Sequence, residues 1–432
     1  MVTQKKHFKA RHFIAQISVL RHLVVIIFIG VLFSPSCSLR TGYYVDLKAG
    51  DDSSSGHSSN QPWKTLSRVN SHPFIPGDAI YFKRGSEWTG ELTIVKSGLP
   101  DKTIVYTAYG EGKDPVIRNP GVERGSGIKI KADYIVVENF FVSDVHMAGI
   151  LIDREAEYNI VRNNEVTMAG CGISIQGKHN LVTKNYTHDL NMIVNDEGGD
   201  NDYGAVGVNI HSSNNEVSYN RMFNCIAPSL DYGHDGGVVE FYGDVDSCYI
   251  HHNWGENCDG GFEVGGREDT LTSNLIAYNV FINNGIAGGF HVGGKFGVYL
   301  EDMRVENNLF IETGNRDYAI GFWNGLPTKT AFLCRNNIFY IPNMKRISNH
   351  SDFVHEHNLY YLGGKTDIGI TPGPGDITGD PLFMNLKDND FHLTVASPAI
   401  DAGINLFHQT DFEGNRIPNG SAPDIGAYEY IE

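Results

Sequence analysis

The sequence predicts an all-β protein, a parallel β-helix solenoid, from a recurring asparagine, a turn-rich composition and a second recurring strand. Nine asparagines mark the middle of the 432-residue chain, most of them ending a short apolar stretch of the form Val/Ile/Leu-x-x-Asn. They are Asn139, Asn164, Asn185, Asn220, Asn253, Asn279, Asn308, Asn337 and Asn358. Spacings of 21 to 35 residues are typical of a solenoid, in which each turn stacks on the previous one. An Asn at the same bend of every turn can bond the Asn above and below it, which predicts an asparagine ladder.

Composition and charge narrow the classes of function. The chain has 49 Gly, 21 Tyr and 23 Phe, which suits many turns and aromatic-rich strands. Without its first 36 residues it has 29 basic against 51 acidic side chains, a net charge of −22. So acidic a body is a poor candidate for binding nucleic acid or an anionic membrane surface. We expect a monomer.

The N-terminus reads as an export signal over residues 1–36. Basic residues from Lys5 to Arg21 precede the apolar run "LVVIIFIGVLF", which is short for a membrane span. Cys37 follows small residues, and this resembles a bacterial lipoprotein signal whose cysteine is lipidated. The expected location is therefore the periplasm or a lipid anchor in the outer membrane, with the lipid as the only membrane contact. Ordinary cleavage after the Ser34-x-Ser36 site is the alternative.

The mature chain divides into three parts. Residues 37–103 are expected to form an N-terminal cap and the first strands, with a short amphipathic helix around Trp63, Leu66 and Val69. Residues 104–365 carry the β-helix, and residues 366–432 are expected to form a C-terminal cap. Cys225 and Cys258 each follow a ladder asparagine by five residues, which favours stacked buried thiols over a disulfide.

A second repeat, a Gly followed by a short strand, lies on another face of the coil. Because strand side chains alternate, one residue of each copy points outward. Aligning "GVVEF" from its C-terminal side places the following residues in this outward column: Lys129, Leu151, Ser174, Asn209, Glu240, Glu263, His291 and Trp323. A parallel column two residues further on holds Asp153, Gln176, His211 and Tyr242.

Glu240 and Glu263 are the predicted catalytic pair. Adjacent turns of a sheet lie about 4.8 Å apart, so the two carboxyls should be neighbours and one should have a raised pKa. A protonated acid beside an ionised carboxylate is what cleavage of a glycosidic bond requires. A separation of about 5 Å suits a retaining mechanism and roughly 6.5–9.5 Å an inverting one, so the stereochemistry stays open.

Two insertions precede the strands of Asn209 and Glu240, at residues 195–204 and 229–237. Long excursions on one face of a solenoid form the walls of a binding cleft. They bring His234 and Asp235 to the mouth of the groove, and Asp259 is expected beside Asp235 on the next turn. The acidic run in the first insertion is compatible with calcium, although its spacing does not match an EF-hand. No other cofactor is indicated.

The whole layout resembles the right-handed parallel β-helix proteins of secreted bacterial polysaccharide-degrading systems. The motifs that carry the resemblance are "YYVDLKAGDD…PWKTL", the asparagine ladder and "SPAIDAG…APDIGAYEY". The resemblance implies a right-handed coil and a polysaccharide or oligosaccharide ligand. It does not imply a reaction, because this fold hosts hydrolases, lyases, epimerases and adhesins.

Three hypotheses follow. The first is a glycoside hydrolase with Glu240 and Glu263 as the carboxyl pair and Asp235 in reserve. In this hypothesis, the groove binds sugar hydroxyls and stacks a sugar ring. The residues that would do so are Asn209, His211, His234, Tyr242, Asp259, Arg267, His291 and Trp323. The second is a polysaccharide lyase using Arg267, Lys295, His234 or Tyr242 on a uronate, where an acidic groove would need calcium. The third is a non-catalytic glycan-binding solenoid.

Overall fold

The computed structural model describes residues 41–325, 330–351 and 353–432. The predicted export signal and Cys37 lie outside these ranges. Among the helices of the described residues, none combines the length and apolar character needed to span a membrane.

The coil has three faces, formed by short strands that pair in parallel with the strand one turn later. We call each turn a rung. The back sheet consists of Gly42–Val45, Ala79–Lys83, Ile104–Tyr109, Ile135–Glu138, Ile160–Arg162, Leu181–Thr183, Glu216–Ser218, Tyr249–His251, Leu275–Ala277, Met303–Glu306, Phe332–Arg335 and Val354–Glu356. The all-β parallel architecture predicted from the sequence is confirmed.

Two further faces complete each rung, and the long strand Phe141–Ile152 runs through both. The side sheet consists of Glu87–Thr89, Val116–Asn119, Glu165–Thr167, Tyr186–His188, Arg221–Phe223, Trp254–Glu256, Val280–Ile282, Leu309–Ile311, Ile338–Tyr340, Leu359–Tyr361 and Ile377–Thr378. The groove sheet consists of Leu92–Ile94, Ile128–Ile130, Ala169–Ile175, Val206–Ile210, Gly237–Tyr242, Phe262–Gly265, Gly288–His291, Tyr318–Trp323 and Arg346–Ser348.

Short strand pairs and two 3₁₀ turns lie outside these three sheets. The antiparallel pairs are Met192–Val194 with Tyr203–Gly204, Ala227–Ser229 with Gly233–Asp235, and Phe383–Asn385 with Asp390–Leu393. One more pair, Asp269–Thr272 with Val298–Glu301, is parallel. The 3₁₀ turns are Gly294–Phe296 and Leu386–Asp388.

The asparagine ladder holds one bend of the coil together. From Asn164 to Asn337, each ladder side chain donates its Nδ2 to the Oδ1 of the next asparagine at 2.9–3.0 Å. The last member, Asn358, bonds instead to Asp376. These buried amides also donate to backbone carbonyl oxygens, so the polar groups of the bend are satisfied within the stack.

Asn139 was wrongly placed in this ladder. The strand register sets Val137, not Val136, opposite Val161, so the ladder position of that rung is Phe140. Phe140 is fully buried, and its backbone N–H donates to the Oδ1 of Asn164. Asn139 takes the left-handed backbone conformation one residue earlier, with φ of 63°.

A second asparagine ladder, missed in the sequence, lies at another bend. The Nδ2 of Asn159 donates to Asn180, and that of Asn180 donates to Asn215. Cys248 takes the next position, and its backbone N–H donates to Asn274. The buried thiol replaces an amide here. Like Cys171, Cys225, Cys258 and Cys334, Cys248 is a buried thiol and not part of a disulfide.

The N-terminal segment covers the first rung with its own small core. Its helix spans Leu66–Ser71, and the Thr65 side chain caps it by accepting from the N–H of Arg68. Trp63 precedes the helix, is buried, and stacks on Tyr43 at 4.9 Å between ring centroids.

The C-terminal segment lies along the side of the coil. The sequence predicts a cap from residue 366, whereas the structure continues the coil to Ile377–Thr378 and then turns the tail back. Phe391, Leu393 and Ile425 pack on the outward side chains of the side sheet, such as Leu309. The Nε2–H of His252 also donates to the carbonyl oxygen of Asp411 at 2.8 Å. This bond holds the C-terminal segment against a rung that lies 159 residues earlier in the sequence.

Candidate active site

Glu240 and Glu263 lie on neighbouring strands of the groove sheet in direct register. Asn209 lies opposite Glu240 on the preceding rung. The inward side chains of these strands, such as Phe241 and Val264, are buried, so the alternating glutamates face outward. The adjacency predicted from the sequence is confirmed. The catalytic role of the pair stays a prediction.

His291 and Trp323 were placed in the wrong column. Glu263 pairs with Gly289, not with His291, so the string "GFHV" is shifted by two residues from "GFEV". The reason is steric, because the Phe262 ring fills the space where a Cβ at Gly288 would lie, at 2.2 Å. His291 and Trp323 therefore continue the parallel column after His211, Tyr242 and Gly265, and still pair with each other.

His291 nevertheless reaches Glu263 diagonally. Its Nε2 lies 2.9 Å from Oε1 of Glu263, and both side chains are partly buried. A histidine N–H that bonds one carboxylate oxygen fixes the orientation of that carboxylate.

Glu240 has a different environment. The pKa of its carboxyl is raised well above its usual range by burial first and then by the charges of Glu263 and Asp235. Among the described residues its hydrogen-bond donor is neutral, the Nδ2 of Asn209 at 2.9 Å from Oε2. The site therefore favours a protonated Glu240 beside Glu263.

Asp235 is a third carboxyl of the cluster. It ends the hairpin of the second insertion, opposite Ala227, and its Oδ1 accepts from the N–H of Gly236. Burial, followed by the charge of Glu263, raises its pKa to about 7. Asp235 thus changes charge near neutral pH.

Asp259 lies close enough to Asp235 that its charge also raises the pKa of Asp235. Burial raises the pKa of Asp259 itself, while Arg316, which bonds its Oδ1 at 3.2 Å, opposes that rise. His234 is exposed on the hairpin and its charge also acts on Asp259. Arg316 was not anticipated, because it lies 57 residues away in the sequence with no motif around it.

The two insertions form one unit above the groove. Buried Asp202 of the first accepts from Ser229 Oγ at 2.7 Å and from two backbone N–H groups of the second. Asp231 of the second accepts from the N–H groups of Gly198 and Asn201 in return. The acidic residues of these loops thus have structural partners. Calcium binding stays a prediction.

The second column lines one side of the groove with polar rings. The Nδ1–H of His211 donates to the carbonyl oxygen of Tyr242 at 3.1 Å, and burial lowers the pKa of His211. Arg267 is exposed, and its Nε donates to the Tyr242 hydroxyl at 3.3 Å. Lys295 is also exposed, but its Nζ bonds the carbonyl oxygen of Gly199 rather than facing the groove floor.

Trp323 lies over the glycines that continue the glutamate column. A Cβ at Gly289 would lie 2.2 Å from its ring and one at Gly321 would lie 3.2 Å from it. Its Nε1–H donates to the Tyr318 hydroxyl at 3.2 Å. The indole is thus held next to Glu263 although its Cα belongs to the other column.

Comparisons with known proteins support the β-helix fold. The sequence profile of the family described as "Right handed beta helix region" matches residues 126–327. The chain is a right-handed parallel β-helix protein. Two solved β-helix structures superpose on 90% of it: pectate lyase Pel9A (TM-score 0.58, 18% identity, 96% of that chain) and XylC in complex with xylose (TM-score 0.55, 12% identity, 99% of that chain).

One curated relative is closer in sequence. This β-helix protein is 34% identical over 137 residues to the lacto-N-biosidase of Bifidobacterium longum subsp. longum. The match spans 30% of this chain and 8% of that protein. The proteins that it resembles are carbohydrate-active enzymes, both hydrolases and lyases.

Proposed function

We propose that this protein is a glycoside hydrolase that cleaves an oligosaccharide or polysaccharide between Glu240 and Glu263. The observation that carries the proposal is the pairing of these two carboxyls on neighbouring rungs in unlike environments.

Glu240 acts as the general acid. Its raised pKa keeps a proton on the carboxyl at neutral pH, and that proton passes to the glycosidic oxygen as the bond to the anomeric carbon breaks. The Asn209 amide orients the acid without an opposing charge.

Glu263 acts as the carboxylate partner. His291 holds it, and it either attacks the anomeric carbon or removes a proton from the attacking water. After proton transfer Glu240 becomes an anion next to Glu263, a charge that neutral Asp235 tolerates better than ionised Asp235 would.

The groove supplies sugar contacts around this pair. Trp323 offers a flat aromatic face for the apolar side of a sugar ring, and His211 and Tyr242 offer hydroxyl contacts. The lacto-N-biosidase match supports a hydrolase acting on glycans. Calcium stays an optional structural ion of this proposal. Export through residues 1–36 and lipidation at Cys37 would place this activity outside the cytoplasm.

The test is a screen of the purified protein against pectin, xylan, alginate and lacto-N-tetraose, with products measured by mass spectrometry. Glu240→Gln and Glu263→Gln should each abolish cleavage. Glu165→Gln is the matched control, because Glu165 also bonds a histidine, His188 at 3.2 Å, but on the side sheet. Full activity in both groove variants would refute the assignment.

A lyase remains the second candidate because of one contact. The guanidinium of Arg267 bonds the Tyr242 hydroxyl, so a candidate base and a cation that could neutralise a uronate carboxylate lie side by side. Products that absorb as unsaturated uronides, lost in Tyr242→Phe, would replace the hydrolase proposal with this one.

A further inference from the structure

Lys295 connects two parts of the groove that are far apart in the sequence. It lies in the 3₁₀ turn Gly294–Phe296, which follows the strand Gly288–His291. Its Nζ donates to the carbonyl oxygen of Gly199 at 2.9 Å and also contacts that of Asp200. Both acceptors belong to the first insertion, about a hundred residues earlier.

The contact crosses the face that carries the carboxyls. The first insertion precedes Val206–Ile210, so it leaves the coil at the N-terminal ends of the groove strands. The turn of Lys295 follows its strand at the C-terminal end, three rungs further along. Three rung spacings amount to about 14 Å. A link between these points runs diagonally over the rungs of Glu240 and Glu263.

The insertion is firm enough to act as a strap. Tyr232 of the second insertion donates its hydroxyl to Asp200 at 2.7 Å, next to the carbonyl that Lys295 contacts. Asp202 adds a buried bond and Asp231 an exposed one between the two insertions. Lys295 adds to these bonds a contact from the opposite end of the groove strands, which holds residues 199–200 in place.

We infer that this strap closes the groove from above, so that the site accepts the end of a glycan chain and releases short products. The inference rests on the proposed hydrolase and names its substrate class. An internal segment of a polymer would have to be threaded beneath residues 199–200, whereas a chain end enters without displacing them. Lys295 is then a specificity-determining residue, not a catalytic one.

Product size on the same four glycans tests the inference. Wild-type protein should release only short saccharides from the first time points, while the remaining polymer stays long. Lys295→Ala should add internal fragments, and Lys295→Arg, which keeps a donor, should behave as wild type. Lys113→Ala, an exposed lysine far from the groove, is the control. A ladder of internal fragments from wild type would overturn the chain-end assignment.

Hydrogen exchange separates this inference from the proposed function. In Lys295→Ala, amides of residues 195–204 should exchange several-fold faster than in wild type or Lys113→Ala. Unchanged exchange would overturn the strap even if the protein is a hydrolase. Faster exchange in a protein that cleaves none of the four glycans would instead count against the proposed function.

Discussion

Glu240 and Glu263 face each other across one rung spacing, but only Glu263 is bonded to a histidine. Glu240 is bonded to a neutral amide, and burial raises the pKa of its carboxyl well above its usual range. Because like charges at this distance oppose each other, a difference in partners decides which carboxyl holds the proton.

This difference predicts distinct effects on stability and activity. Glu240→Gln should lower kcat by about 10²- to 10⁴-fold, the usual range for loss of a general acid, with little loss of stability because glutamine mimics the neutral acid. Glu263→Gln should lower kcat comparably. Thermal unfolding and steady-state kinetics on the glycan that the wild type cleaves would check this. A Glu240→Gln variant that unfolds readily would contradict the neutral state.

His291→Gln should lower kcat more than it changes KM, because the histidine orients Glu263 rather than binding the sugar. The pH–rate profile of the variant should also differ from that of the wild type, because the variant lacks the imidazole that contacts the Glu263 carboxyl. His188→Gln, which removes the corresponding contact on Glu165, is the matched control. An unchanged profile would reduce His291 to a structural role.

Gly289→Ala should mimic Trp323→Ala. A methyl at Gly289 would lie 2.2 Å from the indole and push it off the glutamate column. Both variants should raise KM with a smaller effect on kcat, because the ring serves as a stacking surface. Normal kinetics in both would exclude Trp323 from the sugar site.

We expect the free energy of unfolding to depend on pH through Glu312, a carboxyl away from the groove. It is buried, accepts from the N–H groups of Asn284 and Gly285, and has its pKa raised to about 8 by burial. Below about pH 4.5 the carboxyl is protonated in both states. As the pH rises towards 8, the unfolded chain releases its proton first, so stability falls. Denaturant unfolding from pH 5 to 8 should show a shallower decline in Glu312→Gln, and equal slopes would contradict the assignment.

The contribution of the ladder to stability can be measured by comparing two asparagines, Asn253 inside it and Asn139 outside it. Asn253→Ala removes a fully buried amide that bonds Asn220, Asn279 and two carbonyl oxygens, and should cost about 3 kcal/mol or more of unfolding free energy. Asn139→Ala should cost less, about 1–2 kcal/mol, because its side chain lies outside the ladder and bonds Thr107, and the main loss is the strain of an alanine at φ of 63°. Equal costs in denaturant titrations would place Asn139 back in it.

The coil and the glutamate pair were predictable because both follow from local periodicity. Strand alternation and the recurring Gly-plus-strand segments place Glu240 opposite Glu263 without knowledge of any long-range contact. The predicted register was wrong for the strand Gly288–His291, where the size of a side chain decides which residues pair. The Phe262 ring requires a glycine above it, so Gly288 and not Phe290 pairs with Phe262, and His291 moves to the other column.

Contacts between distant segments left no signal in the sequence. The bond from Lys295 to Gly199 depends on how two loops lean over the sheet, and neither loop has a repeat that fixes its direction. Asn139 failed for a smaller reason: Val136-x-x-Asn139 fits the pattern, but the strand register sets Val137 opposite Val161, so Phe140 takes the ladder position of that rung.

The protonation state of Glu240 tests the account most directly, and it needs no substrate. Infrared difference spectra at pH 7 between wild-type protein carrying ¹³C-labelled glutamate and its Glu240→Gln variant isolate this carboxyl from other buried acids such as Glu312. The account predicts a protonated-carboxyl band present in wild type, lost in Glu240→Gln and retained in Glu263→Gln. A spectrum in which Glu240 contributes only carboxylate bands would contradict it.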